Sequence, residues 1–202
     1  SDSNSAIFIV AARISITGIN LGKRGFMTEM NADEARDKLP ALLAGREGWL
    51  DERAMLAVTL SASGEKSRSY HALNDVVAAR GEIARAISIE ALVDGQHLTT
   101  YRADGVIAAT ATGSTGYALA AGGPILYPPS RDLLMIPIAP HLNFTHAVLL
   151  PGTARLGLRI NAVHPATLSI DGHIHLTLAG GDAVTIRRSP YKTRFLRIRP
   201  AE

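Results

Sequence analysis

Cysteine is absent from this sequence of 202 residues, which excludes disulfides, thiolate metal sites and a cysteine nucleophile. Aromatic residues make up only 5% of the chain, with a single tryptophan. Neither sign of charge dominates, because 21 Lys and Arg residues face 18 Asp and Glu residues for a formal net charge of +3. This small excess favours anionic ligands such as nucleotides, and we expect no nucleic-acid partner.

Long apolar runs are also missing. No run reaches the roughly 18 residues that a membrane span needs before Gly, Pro or a charged residue interrupts it. The first residues lack the basic-then-apolar pattern of a secretion signal. The composition is otherwise globular, with 47% apolar residues. We therefore expect one or two domains, no membrane partner and a cytoplasmic location.

The rest of the chain is organised around one stretch, residues 104–124. Val106 to Thr110 is an apolar run that predicts a buried strand, and Ser114 to Ala121 is rich in helix formers. Between them, two glycines allow a sharp turn and two hydroxyls could cap the helix. The positive end of that helix would favour a bound anion. A plain strand-to-helix connection is the alternative interpretation.

Most of the remaining sequence predicts β-structure. Asn31 and the acidic residues after it predict a helix that ends at Gly45. Beyond Trp49 the apolar period changes to two, and Asp94-Gly95 and Asp171-Gly172 are hairpin signals. The expected fold class is α+β, a β-rich domain of stacked sheets with one embedded helix. The strands are expected at 54–60, 71–79, 87–93, 97–101, 104–110, 134–138, 147–150, 154–160, 166–170, 173–178 and 183–188.

Two short clusters carry polar side chains suited to a nucleotide. Asn74 and Asp75 are adjacent, so both can face one ligand only if their strand ends or bulges there. A carboxylate can accept two ribose hydroxyls, and an amide can recognise an adenine edge. Arg102 and Asp104 flank one alanine, and a same-face ion pair between them is the expectation. A surface salt bridge without function is the alternative there.

The segments ATATGSTGYALAAGGPI, TYRADG and ALNDVV together resemble the bacterial NAD kinase family, which phosphorylates NAD to NADP. The resemblance extends from about Gly18 to the C-terminus. It implies a β-rich NAD-binding and oligomerisation domain at 31–188. Residues 1–30 would be a remnant of an N-terminal α/β domain on the ATP side, with Ser5–Val10 as its first strand. Residues 189–202 would return to that domain.

The resemblance also implies a set of NAD-binding residues. The Asn-Asp pair would hold ribose and adenine, the tyrosine would stack on a base, and the histidine would donate to a pyrophosphate oxygen. The aspartate of YRADG would contact an amide or amino group of the nucleotide, and its arginine would lie near phosphate. In one arrangement these two residues reach NAD across a subunit boundary. The full set is Asn74, Asp75, Arg85, Arg102, Asp104, Thr112, Thr115, Gly116, Tyr117, Ala120, Ala139 and His173.

The sequence departs from the family in one respect. The motif Gly-Gly-Asp-Gly-Thr, whose aspartate acts on the ribose hydroxyl, is not present in this chain. We expect that the protein has a segment with this motif that is not among these 202 residues. The alternative is that the protein itself is a fragment. No residue is therefore predicted to be catalytic. Scattered histidines predict no metal site in the protein, and Mg²⁺ or another divalent cation is expected with ATP.

The predicted function is transfer of phosphate from ATP or polyphosphate to NAD by a homodimer or homotetramer. The main alternative is a non-catalytic module that binds NAD or NADP, or that serves oligomerisation. A lipid or sugar kinase relative is a second alternative, which the three motifs together argue against.

Overall fold

The computed structural model describes residues 15–20, 28–45, 48–62, 64–81, 86–141, 145–161 and 165–199. The predicted strand at Ser5–Val10 and the predicted site residue Arg85 lie outside the described residues. The described part is β-rich, as predicted. It contains two α-helices, α1 (Ala32–Leu43) and α2 (Tyr117–Ala120), and one 3₁₀ turn at Gly113–Thr115.

Fifteen strands are described, most of them short. They are β1 (Ser15–Ile16), β2 (Ile19–Asn20), β3 (Met30–Asn31), β4 (Trp49–Ser61), β5 (Arg68–Ala72), β6 (Asp75–Arg80), β7 (Ile87–Val93), β8 (Gln96–Ala103), β9 (Gly105–Ala109), β10 (Leu133–Ile138), β11 (Val148–Leu150), β12 (Arg155–Asn161), β13 (Ala166–Ile170), β14 (Ile174–Leu178) and β15 (Ala183–Arg197).

The chain divides into two compact units. One contains residues 1–8 and 54–191, and the other contains residues 9–53 and 192–202. Helix α1 belongs to the second unit by this division. The assignment of residues 1–30 to an ATP-side domain stays a prediction.

Two sheets contribute the core of the larger unit. A seven-stranded sheet has the order β5-β4-β15-β12-β7-β8, with β1 paired to the end of β15, and a six-stranded sheet has the order β11-β10-β9-β6-β13-β14. Alternate residues of both sheets meet in one apolar core, for example Leu158 and Ile89 from the first and Val76 and Leu168 from the second. Successive side chains of a strand point to opposite faces, so the period-two pattern places one face of each sheet in this core. The prediction of stacked sheets is confirmed.

The six-stranded sheet is covered on its other face as well. Val77, Ile107 and Leu134 form a second cluster there with Ala118 and Leu126 from the segment that follows β9. Burial on both faces explains why all five residues of β9 are buried and apolar. The segment 111–127 is therefore held against the sheet, at a fixed position relative to β6 and β9.

Helix α1, in the smaller unit, begins as the sequence predicts. Asn31 accepts a hydrogen bond from the Glu34 backbone, and the Glu34 carboxylate accepts one from the Asn31 backbone. This capping box satisfies two N–H groups that a helix start leaves without partners. The helix ends at Leu43, and Gly45 follows with a φ of 67°.

Three predicted elements differ from the structure. The strand expected at 183–188 extends to Arg197 as β15. The expected helix at Ser114–Ala121 is a 3₁₀ turn and a helix of only four residues. Gly122, at a φ of 88°, and the following glycine end it, and Gly123 donates to the Ala118 carbonyl. The expected strand at 71–79 is divided into β5 and β6, which belong to different sheets.

Candidate functional site

The polar pair Asn74 and Asp75 lies at the break between β5 and β6. The backbone N–H groups of Leu73, Asn74 and Asp75 all donate to the carboxylate of Asp171, over 2.7, 2.7 and 3.1 Å. In return, the Asp171 N–H donates to the Asp75 carbonyl over 3.0 Å. The contact uses only backbone groups of residues 73–75, so it does not occupy the side chains of Asn74 and Asp75. The condition that the strand must end for both to face one ligand is met.

A second set of contacts joins this break to the turn after β9. The Thr110 N–H donates to the Asn74 carbonyl over 2.9 Å, and the Thr110 hydroxyl donates to the Leu73 carbonyl over 2.6 Å. The same hydroxyl accepts from the Gly113 N–H over 3.1 Å. A Cβ on Gly113 would lie only 2.1 Å from the Asn74 carbonyl oxygen. Glycine at this position therefore allows the turn to lie directly on the Asn-Asp pair.

Asp75 has an unusual protonation equilibrium. Burial and the neighbouring Asp171 carboxylate raise the pKa of Asp75 to about 6. A group within hydrogen-bond reach that can donate hydroxyl protons to the carboxylate would stabilise its ionised form. Strongly perturbed carboxyls of this kind concentrate at functional sites.

The turn at residues 112–116 differs from its prediction. Its hydroxyls do not cap α2: Ser114 donates to the Ala111 carbonyl and Thr115 to the Thr112 carbonyl. The N–H groups of Gly113, Ser114 and Gly116 are hydrogen-bonded within the turn. A four-residue helix also has too few aligned peptides for a strong dipole. The expected anion seat at a helix N-terminus is therefore not formed.

The remaining predicted residues of this segment are exposed or half-buried. Thr112 and Thr115 are half-buried, and Gly116, Tyr117 and Ala120 are exposed. A Cβ on Gly116 would approach only the Gly113 carbonyl, at 3.4 Å, so the backbone there stays accessible. The Tyr117 side chain is 48% exposed and offers a ring for stacking.

His173 lies at the same end of the sheet, in the β13–β14 turn. Its N–H donates to the Ile170 carbonyl over 3.2 Å, and its ring Nδ1 lies 3.0 Å from the Asp171 carbonyl oxygen. Because Asp75 pairs with Ala109 and Val76 with Ile170, the starts of β6 and β14 and the ends of β9 and β13 share one end of the sheet. The structure therefore brings Asn74, Asp75, the 112–116 turn and His173 together.

Arg102, Asp104 and Ala139 form a second group. The Asp104 N–H donates to the Ile138 carbonyl, and the His141 N–H donates to the Arg102 carbonyl, so the loop after β10 is tied to this corner. Ala139 has a φ of 43°, a conformation that alanine rarely adopts. The predicted pair between Arg102 and Asp104 is wrong. Asp104 instead pairs with Arg80 over 3.0 Å, because Arg102 lies within β8 of one sheet and Asp104 leads into β9 of the other.

The two groups lie at opposite ends of the six-stranded sheet. Asp104 immediately precedes β9, and Thr110 immediately follows it. A strand rises about 3.3 Å per residue, so the five residues of β9 separate the groups by roughly 17 Å. Within one chain, the predicted site residues therefore form two separate clusters and not a single cluster.

Three residues of the site were not among those predicted from the sequence. Asp171 holds the 73–75 backbone, Thr110 joins that backbone to the turn, and Arg80 pairs with Asp104. Asp171 was identified only as a hairpin residue, and its partners lie almost a hundred positions away. A threonine at the end of a buried strand is the one local signal that could have indicated Thr110.

The described residues include no group of three or more His, Cys, Asp or Glu side chains arranged to hold a metal ion. None of the described helices is both long and apolar enough to span a membrane.

Comparisons with known proteins agree on one family. Residues 73–198 match the model of the ATP-NAD kinase C-terminal domain. The chain is 46% identical over 193 residues to an NAD kinase of Dehalococcoides mccartyi strain CBDB1, covering 95% of this chain and 68% of the relative. It is 41% identical over 188 residues to an NAD kinase of Chloroflexus aurantiacus, covering 93% of this chain and 68% of the relative.

Solved structures with this fold include a yeast NADH kinase complexed with NADH. The TM-score is 0.82 at 30% identity, over 89% of this chain and 53% of the yeast chain. An NAD kinase from Archaeoglobus fulgidus in complex with ATP gives a TM-score of 0.75 at 27% identity, over 91% of this chain and 69% of that chain. The chain thus spans about half the length of the yeast enzyme and about two thirds of the other relatives.

Proposed function

The chain belongs to the NAD kinase family, and on this basis we propose that it supplies the NAD-binding half of an enzyme that phosphorylates the adenosine-ribose 2′-hydroxyl of NAD. The observation that carries the proposal is the position of the half-buried Asn74 and Asp75 side chains at a strand break whose backbone is fixed by Asp171 and Thr110.

In the proposed complex, the ionised Asp75 carboxylate accepts hydrogen bonds from ribose hydroxyls, and Asn74 recognises the adenine edge. Thr112, Thr115, Gly116 and Ala120 leave room for the dinucleotide to approach the backbone, and Tyr117 stacks on a base. His173 donates to a pyrophosphate oxygen. The two similar structures, one complexed with NADH and one with ATP, support nucleotide partners for this fold.

Asp104 is assigned to a contact with an amide or amino group of a dinucleotide. Its position roughly 17 Å from Asp75, at the far end of β9, is compatible with the arrangement in which it contacts NAD bound to another subunit. That arrangement needs a homodimer or homotetramer, which is part of the proposal. Arg102, Ala139 and Arg85 belong to the same assignment.

The phosphate donor in this proposal is ATP or polyphosphate, with Mg²⁺ or another divalent cation bound to its phosphates. In this proposal the cation is part of the donor, because Mg²⁺ is commonly held by substrate phosphates together with water. We assign no step to a metal held by these residues and no catalytic base, since the Gly-Gly-Asp-Gly-Thr motif is not present in this chain.

The direct test compares this chain with a longer form that carries the Gly-Gly-Asp-Gly-Thr region. For each protein, two quantities are measured: ATP-dependent formation of NADP from NAD, and NAD binding by calorimetry. Asp75→Ala is the matched variant and should weaken NAD binding at least tenfold. Turnover in the longer form only would support the division of roles proposed here. Absence of NAD binding at any pH would contradict the proposal.

One alternative has support from the sequence. The missing motif favours a non-catalytic module that binds NAD or NADP, or that serves oligomerisation. NAD binding without turnover in both forms would favour this alternative over the kinase.

A further inference from the structure

We propose that Asp171 is a positioning residue of the NAD site: its carboxylate fixes the 73–75 backbone and so aims the Asn74 and Asp75 side chains at the ribose and adenine. This inference rests on the proposed function and adds a residue to it. Asp171 belongs to a hairpin turn, and the turn itself does not require its carboxylate to accept hydrogen bonds from another part of the chain.

The geometry is that of an anion held by consecutive backbone donors. Oδ2 of Asp171 accepts from Leu73 over 2.7 Å, and Oδ1 accepts from Asn74 over 2.7 Å and from Asp75 over 3.1 Å. Three successive N–H groups can meet one carboxylate only when the backbone curves around it. The curvature turns the side chains of this segment away from the regular alternation of a strand.

A second hairpin of the same type shows that this arrangement is not a general property of Asp-Gly turns. Asp94 and Asp171 have nearly equal φ values of 50° and 48°, and each is followed by a glycine at positive φ. The Asp94 carboxylate, however, accepts one backbone hydrogen bond, from Arg155 over 2.9 Å, and that contact is exposed. Asp94 is therefore a matched control for the turn conformation.

Asp171 also acts on Asp75 through its charge. The elements packed beside Asp75 bring few ionisable groups: β9 and β13 have none, and the β13–β14 turn brings Asp171 and His173. Arg80, at the other end of β6, is paired with Asp104. Burial and the Asp171 charge raise the pKa of Asp75. The same residue thus fixes the backbone that carries the ribose-binding carboxylate and, next to burial as the larger cause, raises the pKa of that carboxylate.

The experiment compares wild type with Asp171→Asn, Asp171→Glu and Asp94→Asn by NAD calorimetry between pH 5 and 8, with the carboxyl pKa of Asp75 followed by NMR. In D171N one carboxylate oxygen becomes an NH₂ donor facing backbone donors, so NAD should bind at least tenfold more weakly at pH 8. The pKa of Asp75 should also fall. D171E keeps the charge but displaces it, so it should weaken binding while the Asp75 pKa stays raised.

The control D94N should bind NAD within about twofold of wild type even if its thermal stability drops. A role of Asp171 in stability alone predicts lower melting temperatures with unchanged Asp75 pKa and unchanged affinity of the folded fraction, and that result would overturn the inference. If D171N does not fold, the NAD affinity of D171E tests the inference in the same way. If the wild-type protein fails to bind NAD, the proposed function is overturned together with this inference. If the wild-type protein binds NAD and both D171N and D171E bind it with wild-type affinity, the inference alone is overturned.

Discussion

At the scale of single residues, Asp75 shows a conflict between stability and binding. Its carboxylate is close to a second carboxylate and partly buried, both of which disfavour the ionised form. A ligand that offers hydroxyl protons would relieve that cost. A carboxylate in such a position is more easily explained by binding than by folding.

This conflict gives a prediction for Asp75→Asn. The folded-state pKa of about 6 lies above the ordinary value of 3.8, so the native state binds more protons between those pH values. The Asp75 contribution to stability is therefore fully present below pH 4 and lost as pH rises through 6. We expect the free energy of unfolding of D75N at pH 8 to be about 1–2 kcal/mol higher than that of wild type. We also expect D75N to bind NAD at least tenfold more weakly.

Urea denaturation at pH 4.5 and pH 8 checks the stability part. The difference between variant and wild type should be larger at pH 8. An equal difference at both pH values would show that Asp75 is not responsible for the pH dependence.

At the scale of elements, the turn after β9 depends on its two glycines in different ways. A Cβ at Gly113 would lie 2.1 Å from the Asn74 carbonyl oxygen, a distance that forces the backbone apart, whereas a Cβ at Gly116 would meet only one atom, at 3.4 Å. The two positions are three residues apart in one turn, so each serves as a control for the other.

We expect Gly113→Ala to displace the turn from Asn74 and to lower the unfolding free energy by about 1–3 kcal/mol. NAD binding should weaken with it. Gly116→Ala should leave the unfolding free energy near the wild-type value, since its Cβ would meet only one atom, at 3.4 Å. Thermal unfolding and NAD titration of the two variants make the comparison, and a loss of stability in G116A as large as that in G113A would argue against this account of the turn.

The smaller unit contains a network of nearly buried charges. Arg197 contacts Glu29 over 2.9 Å and Asp51 over 3.2 Å, and those carboxylate residues are 7% and 8% exposed. Burial raises the pKa of Glu29, but hydrogen bonds from the Arg199 backbone and from Arg197 outweigh that effect and lower it overall. The pKa of Asp51 is lowered for a similar reason, with Arg53 as its main partner.

Removing the shared arginine should therefore be costly. We expect Arg197→Met to destabilise this unit by about 3–5 kcal/mol at pH 7, because two nearly buried carboxylates lose a partner that they share. Since both carboxyl pKa values are lowered, the stability that they contribute is present at neutral pH and is lost as pH falls through those lowered values.

The fluorescence of Trp49, the single tryptophan of the chain, reports this transition, because its indole donates to the Arg199 carbonyl within the same unit. Arg194→Met, which removes an exposed pair with Glu52, is the control and should have little effect. An Arg197→Met transition at the wild-type urea concentration would contradict the prediction.

At the scale of the whole molecule, the separation of Asp75 from Asp104 makes assembly a testable question. If each NAD site takes Asp75 from one subunit and Asp104 from another, Asp75→Ala and Asp104→Ala chains should each lack binding alone. Mixed oligomers should recover it, because one of the two shared sites in such a dimer would carry both carboxylates.

The measurement is NAD binding after the two variants are unfolded together and refolded, with the separately refolded variants as controls. Recovery of about a quarter of the wild-type sites is expected for random pairing into dimers with equal amounts of both chains, since half of the dimers would be mixed and each would have one intact site. If mixed oligomers are demonstrated but NAD binding does not exceed that of the separately refolded variants, the shared-site arrangement is contradicted. Both carboxylates would then belong to one subunit's site, or Asp104 would take no part in binding.

Local features of this protein follow from the order of its residues alone. Period-two alternation specifies the strands, Asn31 and Glu34 specify the start of α1, and Asp-Gly dipeptides specify two hairpins, because each depends on neighbouring residues. The three sequence motifs are likewise sufficient to indicate the family. All of these effects act over a few positions, so a reading of the sequence can find them.

Which residues act together depends instead on long-range packing. The strand expected at 71–79 is divided because three backbone donors meet the carboxylate of Asp171. The helix expected at 114–121 is short because Thr110 holds the turn and Gly122 ends it.

The pairing of Asp104 is the third case of this kind. Asp104 contacts Arg80 rather than Arg102, since a chain that changes sheets between two residues cannot keep them on one face. Contacts between residues tens of positions apart depend on sheet register and packing, and no local pattern specifies them.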